Sequence, residues 1–380
     1  MYSWFGFDKR IFKHFNYILI LQLFPLFVIS SILVNEINSH LFKKQMIYYF
    51  IAAVAFLVSA FIPWRRILWW FVPIFYLANL GLLIAVEFVG KSILGAKRWI
   101  EIPFIHLTIQ PSEFIKVSVI MMLGYLISRK PPPPNGYNLL NFVKLSIVII
   151  IPFYLIAKEP DLGTALVLLI AGFGILFVVG VNWKIWLTLA ILAGAGAPLI
   201  YEYGLKPYQK KRILDALNKP SYQVRQALIA IGSGGMEGKS KEDATQTQLK
   251  FLPVSSTDFI FAYLGERFGF KGMLIVIGLY ILLILNLIYI SWRHKDDYHI
   301  KTFAIGLAFL IFVYTDVNIS MIIGMAPVVG LPLPMFSHGG TSFIIFAVLF
   351  GILENLIAFK DYSRYTSDAK IIMQPKDSQL

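Results

Sequence analysis

About ten long apolar runs, separated by short polar turns, constrain this chain more than any other feature of its sequence. Each run has roughly the 20 residues that an α-helix needs to cross a bilayer. The chain of 380 residues is 58% hydrophobic and 14% charged, whereas a soluble domain carries about 25% charged residues. We therefore expect an all-α, polytopic membrane helical bundle. The predicted spans are residues 15–34, 46–62, 67–86, 111–129, 142–157, 162–181, 185–203, 258–290, 302–325 and 341–360.

The charge and the residue types exclude several other classes of protein. The formal net charge is +13, but Lys and Arg concentrate in short turns between apolar runs, as the positive-inside rule requires. We therefore expect a lipid bilayer around the chain and no nucleic-acid partner. Cysteine is absent, which rules out disulfides and thiolate metal sites. The apolar runs are continuous rather than alternating, which argues against an outer-membrane β-barrel.

The positive charges also predict an orientation. Lys9, Arg10 and Lys13 precede the first run and place the N-terminus in the cytoplasm. Ten spans then return the C-terminus to the same side, so both termini are expected to be cytoplasmic.

Three regions stand apart from the spans. Residues 204–257 form the largest polar stretch and are expected to be a large extracytoplasmic loop between helices seven and eight. Segment 87–110 is too polar to span, and we expect it to fold back against the outer face of the bundle. Residues 1–360 are thus predicted to be a single transmembrane domain, and residues 361–380 a cytoplasmic polar tail.

Asp258 is the main candidate for chemistry, because it lies where the large polar loop meets an apolar helix. A carboxylate at the mouth of a membrane segment is costly to maintain and indicates function. The alternative is a helix N-cap. Ser255, Ser256 and Thr257 already offer uncharged caps beside it, so we favour a functional role.

Further polar residues are expected on the same outer face. Glu113 and Lys116 lie three residues apart on one helix and share a face; a structural ion pair and a functional pair are equally open. Asp161 opens a predicted helix, and for it an N-cap is the favoured interpretation. Arg98, Arg212 and Ser337 are the other polar residues placed on this face.

Several short motifs run through the chain in a fixed order. They are Ala-Lys-Arg-Trp-Ile at 96–100, Gln-Pro-Ser-Glu-Phe-Ile-Lys at 110–116, Pro-Asp-Leu-Gly-Thr at 160–164, residues 226–238, Thr-Gln-Thr-Gln-Leu-Lys-Phe-Leu-Pro at 245–253, Thr-Asp-Phe-Ile-Phe at 257–261 and Pro-Val-Val-Gly-Leu-Pro-Leu-Pro at 327–334. This series resembles the SEDS family of bacterial cell-wall proteins (shape, elongation, division and sporulation), most closely its rod-shape branch, RodA.

The resemblance implies a ten-helix peptidoglycan glycosyltransferase of the bacterial cytoplasmic membrane, with its active site on the extracytoplasmic side. It implies lipid II as substrate, a class B penicillin-binding protein as partner, and other membrane proteins of the elongation complex. The family's essential aspartate falls on Asp258. Glu159 and His338 depart from the family pattern, since Gln and Tyr are common at these places. The implied substrate-binding residues are Arg98, Trp99, Glu113, Lys116, Asp161, Arg212, Thr257, Ser337 and Gly339.

The expected reaction is a single inverting displacement of polyprenyl diphosphate, with Asp258 as general base. A groove between helices would let the lipid tail stay in the bilayer. Basic residues or a divalent cation such as Mg²⁺, with Asp258 as its contact, would stabilise the departing diphosphate. No His, Asp and Glu spacing predicts a protein-only metal site. Two other functions stay open: a lipid II flippase without chemistry, and a non-catalytic scaffold for wall enzymes.

Overall fold

The computed structural model describes residues 14–93, 96–102, 107–159, 161–204, 210 and 221–372. Its elements are helices and three short strands. The α-helices are α1 Tyr17–Ile37, α2 Ser39–Phe61, α3 Trp64–Val89, α4 Pro111–Arg129, α5 Leu139–Lys158, α6 Leu162–Val179, α7 Trp183–Leu199, α8 Tyr222–Gly234, α9 Thr245–Gln248, α10 Ile260–Arg293, α11 Tyr298–Ile322 and α12 Gly340–Ile372. The strands are β1 Lys91–Ile93, β2 Ala96–Ile102 and β3 Leu107–Ile109.

Within the described residues, nine helices are long and apolar enough to cross a membrane: α1 to α6 and α10 to α12. The remaining predicted span, residues 185–203, corresponds to α7. This helix has 17 residues and continues into a π-helical turn, Ile200–Gly204. The predicted helical bundle is therefore confirmed. Most helix ends differ from the prediction by up to four residues, and α4 begins at Pro111 and ends at Arg129 as expected. α2 begins at Ser39, seven residues before the predicted start. α12 runs on to Ile372, into the region predicted to be a polar tail.

The segment between α3 and α4 carries the three strands, which the sequence alone did not indicate. They pair antiparallel in the order β1-β2-β3. Trp, Ile and Thr favour an extended backbone, and the segment is too short and too polar to form another span. This small sheet contacts α3 and α4, so the segment folds back onto the bundle.

α4, α11 and α12 form the enclosed centre of the bundle, and most of their described residues are buried. α12 packs against α2, α11 packs against α10 and α6, and α3 packs against α4. The outward faces of α1, α2, α3 and α5 carry many exposed Ile, Leu and Phe side chains. Lipid tails are as apolar as these side chains, so such faces are stable in a bilayer.

The described part of the large loop, residues 221–257, is folded. α8 and α9 lie within it, and α8 packs against α10. The two segments approach so closely that a Cβ at Gly234 would lie 2.0 Å from the carbonyl oxygen of Gly265, and one at Gly238 would lie 2.2 Å from that of Arg267. The glycine-rich sequence 232–238 therefore serves close backbone packing.

Polar contacts divide the bundle into two ends. At one end Arg65 Nη2 donates to Asp297 Oδ2 at 2.7 Å and to the carbonyl of Leu356 at 3.0 Å. At the other end, the beginnings of α4, α6 and α10 meet the end of α11 and the connection to α12. The described residues that the sequence predicts on the outer face of the membrane lie at this second end.

Candidate active site

Asp258 lies two residues before α10 and is half-buried. The N-cap position of α10 is Phe259, and within the described chain no side chain bonds to the first amides of this helix. The N-cap alternative for Asp258 is therefore wrong. Burial raises the pKa of the Asp258 carboxyl above its ordinary value, while a hydrogen bond with the Thr257 side chain lowers it in part. A carboxylate with a raised pKa is a stronger base once it is ionised.

The wall opposite Asp258 is the connection between α11 and α12, residues 323–339, which we call the 323–339 segment. It is non-helical, and its second half is buried: Leu331, Leu333, Met335, Phe336 and Ser337 are each at most 5% exposed. Irregular backbone at membrane depth is stable only where protein covers it and its polar groups have partners.

Side chains from three helices provide those partners. Asn318 Nδ2 on α11 donates to the carbonyl of Leu331 at 2.6 Å. Tyr280 Oη on α10 donates to the carbonyl of Pro334 at 2.7 Å. The Ser30 hydroxyl on α1 donates to the carbonyl of Phe336. The 323–339 segment is thus anchored along its length.

The same segment fixes the chain around Asp258. Ser337 Oγ donates to the carbonyl of Thr257 at 2.7 Å, and the amide of His338 donates to the carbonyl of Ser256 at 2.9 Å. Ser337 and Thr257, both predicted site residues, therefore do meet, through a side chain and a backbone carbonyl. A Cβ at Gly330 would lie 3.5 Å from Asp258 Oδ2, so Gly330 faces the carboxylate. Gly339, also predicted, is half-buried, and no atom of the described chain lies within 4 Å of where its Cβ would be.

Glu113 and Lys116 form the predicted ion pair, with Lys116 Nζ 2.7 Å from Glu113 Oε1. Lys116 is 2% exposed, and its ammonium also contacts the hydroxyl of Tyr314 on α11. Tyr314 lies four residues before Asn318, about one helical turn or about 6 Å along the axis. Asn318 Nδ2 donates to the carbonyl of Asp258 at 2.9 Å. One face of α11 thus connects the buried pair to the chain that carries Asp258.

Asp161 is the N-cap of α6, as favoured from the sequence, with Oδ1 accepting from the amide of Thr164 at 3.3 Å. Its other oxygen lies 3.5 Å from Arg98 Nη1 and accepts from Gln110 Nε2 at 3.3 Å. Trp99 follows Arg98 in β2, where it is half-buried and pairs with Lys91.

The beginning of α6 reaches the same wall as Asp258. A Cβ at Gly163 would lie 3.1 Å from Cβ of Val329, the neighbour of Gly330. The structure therefore brings Asp161 and Arg98 to the end of the bundle that holds Asp258. Arg212, the remaining predicted site residue, lies outside the described residues.

Sequence reasoning missed three residues at this end. Tyr314 and Asn318 are polar, buried and four residues apart on α11, and that spacing could have marked them. Glu159 is 5% exposed, and neither of its carboxylate oxygens has a hydrogen-bond partner in the described chain. Burial, with the charge of Asp161 second, raises the pKa of Glu159 to about 8.

An apolar cavity of about 300 Å³ lies between α1, α2 and α12. Met335 of the 323–339 segment forms part of its wall. The cavity therefore adjoins the segment that faces Asp258, in keeping with the groove for a lipid tail expected from the sequence.

The residues present do not form a metal site by themselves. Among the described residues, no three His, Asp or Glu side chains are grouped so that they could hold an ion. Mg²⁺ usually keeps several waters and binds through one or two carboxylates together with substrate phosphates. Asp258 could supply one such carboxylate, so the described residues are compatible with a cation that shares its ligands with a substrate.

Comparisons with known proteins agree with this architecture. The profile of the FTSW_RODA_SPOVE family, described as "Cell cycle protein", matches residues 9–362. Peptidoglycan glycosyltransferase MrdB of Helicobacter pylori is 50% identical over 361 residues, covering 95% of this chain and 94% of that protein. Peptidoglycan glycosyltransferase MrdB of Escherichia coli is 35% identical over 352 residues, covering 90% of this chain and 93% of the relative.

Two solved structures have a similar fold. The crystal structure of the rod shape determining protein RodA of Thermus thermophilus gives a TM-score of 0.67 at 25% identity, covering 91% of this chain and 97% of that one. A chain from a structure described as "Structural coordination of polymerization and crosslinking by a peptidoglycan synthase complex" gives a TM-score of 0.78 at 24% identity, covering 90% and 97%.

Proposed function

The chain belongs to the FTSW_RODA_SPOVE family of cell cycle proteins, and we propose that Asp258 is the general base of its reaction. It is a multi-pass membrane protein, and its activity is that of a peptidoglycan glycosyltransferase. The finer points are proposals: the substrate is lipid II, the site opens on the outer side of the bacterial cytoplasmic membrane, and the product is a glycan strand made during cell elongation.

The proposed chemistry is one inverting displacement. Lipid II presents its sugar with an α linkage to polyprenyl diphosphate, and the polymer is β-linked, so a single displacement accounts for the inversion. The 4-hydroxyl oxygen of the acceptor forms a bond to C1 of the donor as the bond from C1 to the diphosphate breaks. The hydroxyl proton passes to Asp258, and the bonding electrons leave with the diphosphate.

One observation carries this assignment: among the described residues, Asp258 has no cation beside it and borders the space at Gly330, whereas the oxygens of Glu159, which also lack a partner, are fully buried. Glu113 is paired with Lys116, and Asp161 with Arg98 and the amides of α6. Within the described residues, Asp258 has no ion-pair partner and faces Gly330, where no side chain fills the space. A base needs this arrangement, because an ion pair would hold its lone pairs and lower its pKa.

The departing diphosphate requires positive charge. Arg98 is the proposed contact, because its side chain is 25% exposed and its partner Asp161 lies 3.5 Å away. Lys116 is buried and paired with Glu113, so we propose that its positive charge acts on the diphosphate through the electrostatic field of the site. Arg212 is a second proposed contact.

The other predicted site residues have proposed roles around the sugars and the cation. Trp99 and Gly339 would lie beside the substrate, and Thr257 would orient Asp258. A Mg²⁺ ion brought with the substrate would neutralise charge on the diphosphate, and Asp258 is the carboxylate that could contact it.

The proposed function also includes a place for the lipid tail and a partner protein. The apolar cavity beside Met335 supports a place for part of the polyprenyl chain, which stays in the bilayer. The proposed partner is a class B penicillin-binding protein, which would cross-link the strands, together with other membrane proteins of the elongation complex.

The test is polymerisation of lipid II by the purified full-length protein together with its penicillin-binding protein partner. We expect Asp258→Ala to lower the rate about 10²- to 10⁴-fold, because a general base contributes this much. The matched control is Asp316→Ala, which removes an exposed carboxylate from α11 near the same end; it should keep the rate of the parent protein.

Near-normal polymerisation by folded Asp258→Ala would refute the assignment. Transport of lipid II by the same preparation without any glycan product would favour the flippase instead. If loop truncations abolished wall synthesis in cells while Asp258 and Arg98 tolerated substitution, the scaffold would be favoured.

A further inference from the structure

Asn318 on α11 is fully buried, at 0% exposed. Its Nδ2 donates to two carbonyl oxygens, that of Asp258 at 2.9 Å and that of Leu331 at 2.6 Å. Carbonyl oxygens only accept, so the nitrogen side of the amide must face both of them. The two N–H groups of this side chain are therefore both used, one on each partner.

The two carbonyls belong to the two walls of the site. One is that of Asp258 itself, and the other follows Gly330, the residue that faces the Asp258 carboxylate. A single amide thus sets the separation between the carboxylate and the wall opposite it. Ser337 adds a second tie one residue earlier in the chain, at Thr257, but it does not bond residue 258.

We propose that Asn318 is a positioning residue, whose amide holds Asp258 and the Gly330–Leu331 turn at the distance that the acceptor hydroxyl requires. The proposal rests on the function proposed for Asp258. Reacting atoms must lie about 3 to 3.5 Å apart, and a displacement of 1 Å can cost about 10²-fold in rate. Without the amide, both carbonyls lose a buried partner, and the turn can move away from the base.

The test compares Asn318→Leu with Asn355→Leu in the full-length protein with its partner. Asn355 is an unusually close match: it is 0% exposed, its Nδ2 donates to the carbonyl of Ala60 at 2.7 Å, and its Oδ1 is buried without a partner in the described chain, as is that of Asn318. It lies near Leu356 and Arg65, at the opposite end of the bundle.

We expect Asn318→Leu to lower kcat for lipid II about 10- to 100-fold with little change in KM. Asn355→Leu should match it in thermal stability and keep the parent kcat per folded molecule. Asn318→Asp is a second variant for the case in which the Leu variant does not fold. It keeps the shape of Asn, but a carboxyl group donates at most one hydrogen bond, and only when protonated, so at least one of the two carbonyls loses its partner and a loss of kcat is again expected; Asn355→Asp is its control.

An Asn318 variant that keeps the parent kcat, or loses activity only in proportion to its folded fraction as the Asn355 variants do, would overturn the proposal. A rise in KM without a fall in kcat would also overturn it, because that result indicates substrate binding. The Asp258→Ala result separates the two hypotheses. If that variant is inactive and the Asn318 variants are fully active, the positioning role fails while the function of Asp258 stands.

Discussion

At the scale of single residues, the carboxylates at the Asp258 end of the bundle differ in how their negative charge is compensated. Glu113 is held by Lys116, and Asp161 by Arg98 and a helix N-terminus. Asp258 has no described cation and carries a raised pKa. The spacing in sequence predicted the Glu113–Lys116 pair and the cap at Asp161, because each joins residues three apart. It did not predict the contact of Asp161 with Arg98, which lies 63 residues earlier in the chain. It could not predict that Asp258 would face Gly330, because that contact spans 72 residues of chain.

Glu159 gives a prediction at this scale. Its pKa is raised from 4.5 to about 8, mainly by burial, so the folded state holds its proton more tightly than the unfolded state does. Its contribution is most favourable below pH 4.5, and stability is lost as pH rises from there to about 8. Glu159→Gln removes the titrating group, so the variant should gain on the order of a few kcal/mol relative to the parent at pH 9 and little at pH 4.

Thermal unfolding of the purified protein at both pH values checks this expectation. Glu242→Gln, a change at an exposed carboxylate, is the control and should leave the thermal stability unchanged at both pH values. An equal change in thermal stability at pH 4 and pH 9 for Glu159→Gln would contradict the conclusion that burial raises the pKa of Glu159.

At the scale of elements, the 323–339 segment decides the geometry of the site. The sequence identified it as a Pro- and Gly-rich connection, but not as a buried wall. Its backbone conformation is fixed by Asn318, Tyr280 and Ser30, which come from three different helices. The three strands between α3 and α4 were missed for a similar reason. Strand pairing depends on partners in the folded chain, whereas helix formation in a bilayer depends on the run itself.

Gly330 provides the prediction at this scale. Its φ is +73°, a conformation that costs a residue with a side chain about 1 to 2 kcal/mol, and its added Cβ would approach Asp258 Oδ2. We expect Gly330→Ala to lower the rate of lipid II polymerisation about 10-fold or more, because relief of the backbone strain would move this wall relative to the carboxylate; the added Cβ itself, 3.5 Å from Asp258 Oδ2, would make only ordinary contact. Gly180→Ala is the matched control, because Gly180 also has a positive φ, of +117°, and has open space around it at the far end of α6.

Both variants should lose similar stability, measured by thermal unfolding, while only Gly330→Ala loses activity. Equal activity of the two folded variants would show that the turn does not control Asp258.

At the scale of the whole molecule, the two ends of the bundle have separate tasks. The end with Asp258 holds the acids and bases proposed for chemistry. The other end joins α3, α11 and α12 through Arg65, Asp297 and Leu356. Asp297 also caps α11, accepting from the amides of His299 and Ile300.

This separation predicts that Asp297→Ala destabilises the fold without changing the chemistry. Burial opposes ionisation of Asp297, but Arg65 and the amide of Ile300 outweigh it and lower the pKa of Asp297 below its ordinary 3.8. Its contribution is therefore present above about pH 4 and is lost as pH falls through the lower folded value. We expect the variant to be less stable by about 1 to 2 kcal/mol at pH 7, from the lost cap and ion pair, with kcat per folded molecule unchanged.

Thermal unfolding together with the polymerisation assay measures both parts. Asp296 is the exposed neighbour of Asp297. Its variant Asp296→Ala is the control and should alter neither the thermal stability nor kcat. A fall in kcat for folded Asp297→Ala would show that the two ends are coupled.

The sequence by itself determined the bundle fold, nine of its ten predicted spans within the described residues, the i,i+3 ion pair of Glu113 and Lys116, the cap at Asp161 and the family motifs. These depend on hydrophobicity or on residues close together in the chain, and a bilayer removes most alternatives to helix. The tertiary structure alone decided that Asp258 faces Gly330, that Asn318 bonds both walls, and that Glu159 is buried. These contacts join elements far apart in sequence, so they depend on how the helices pack and not on any local pattern of residues.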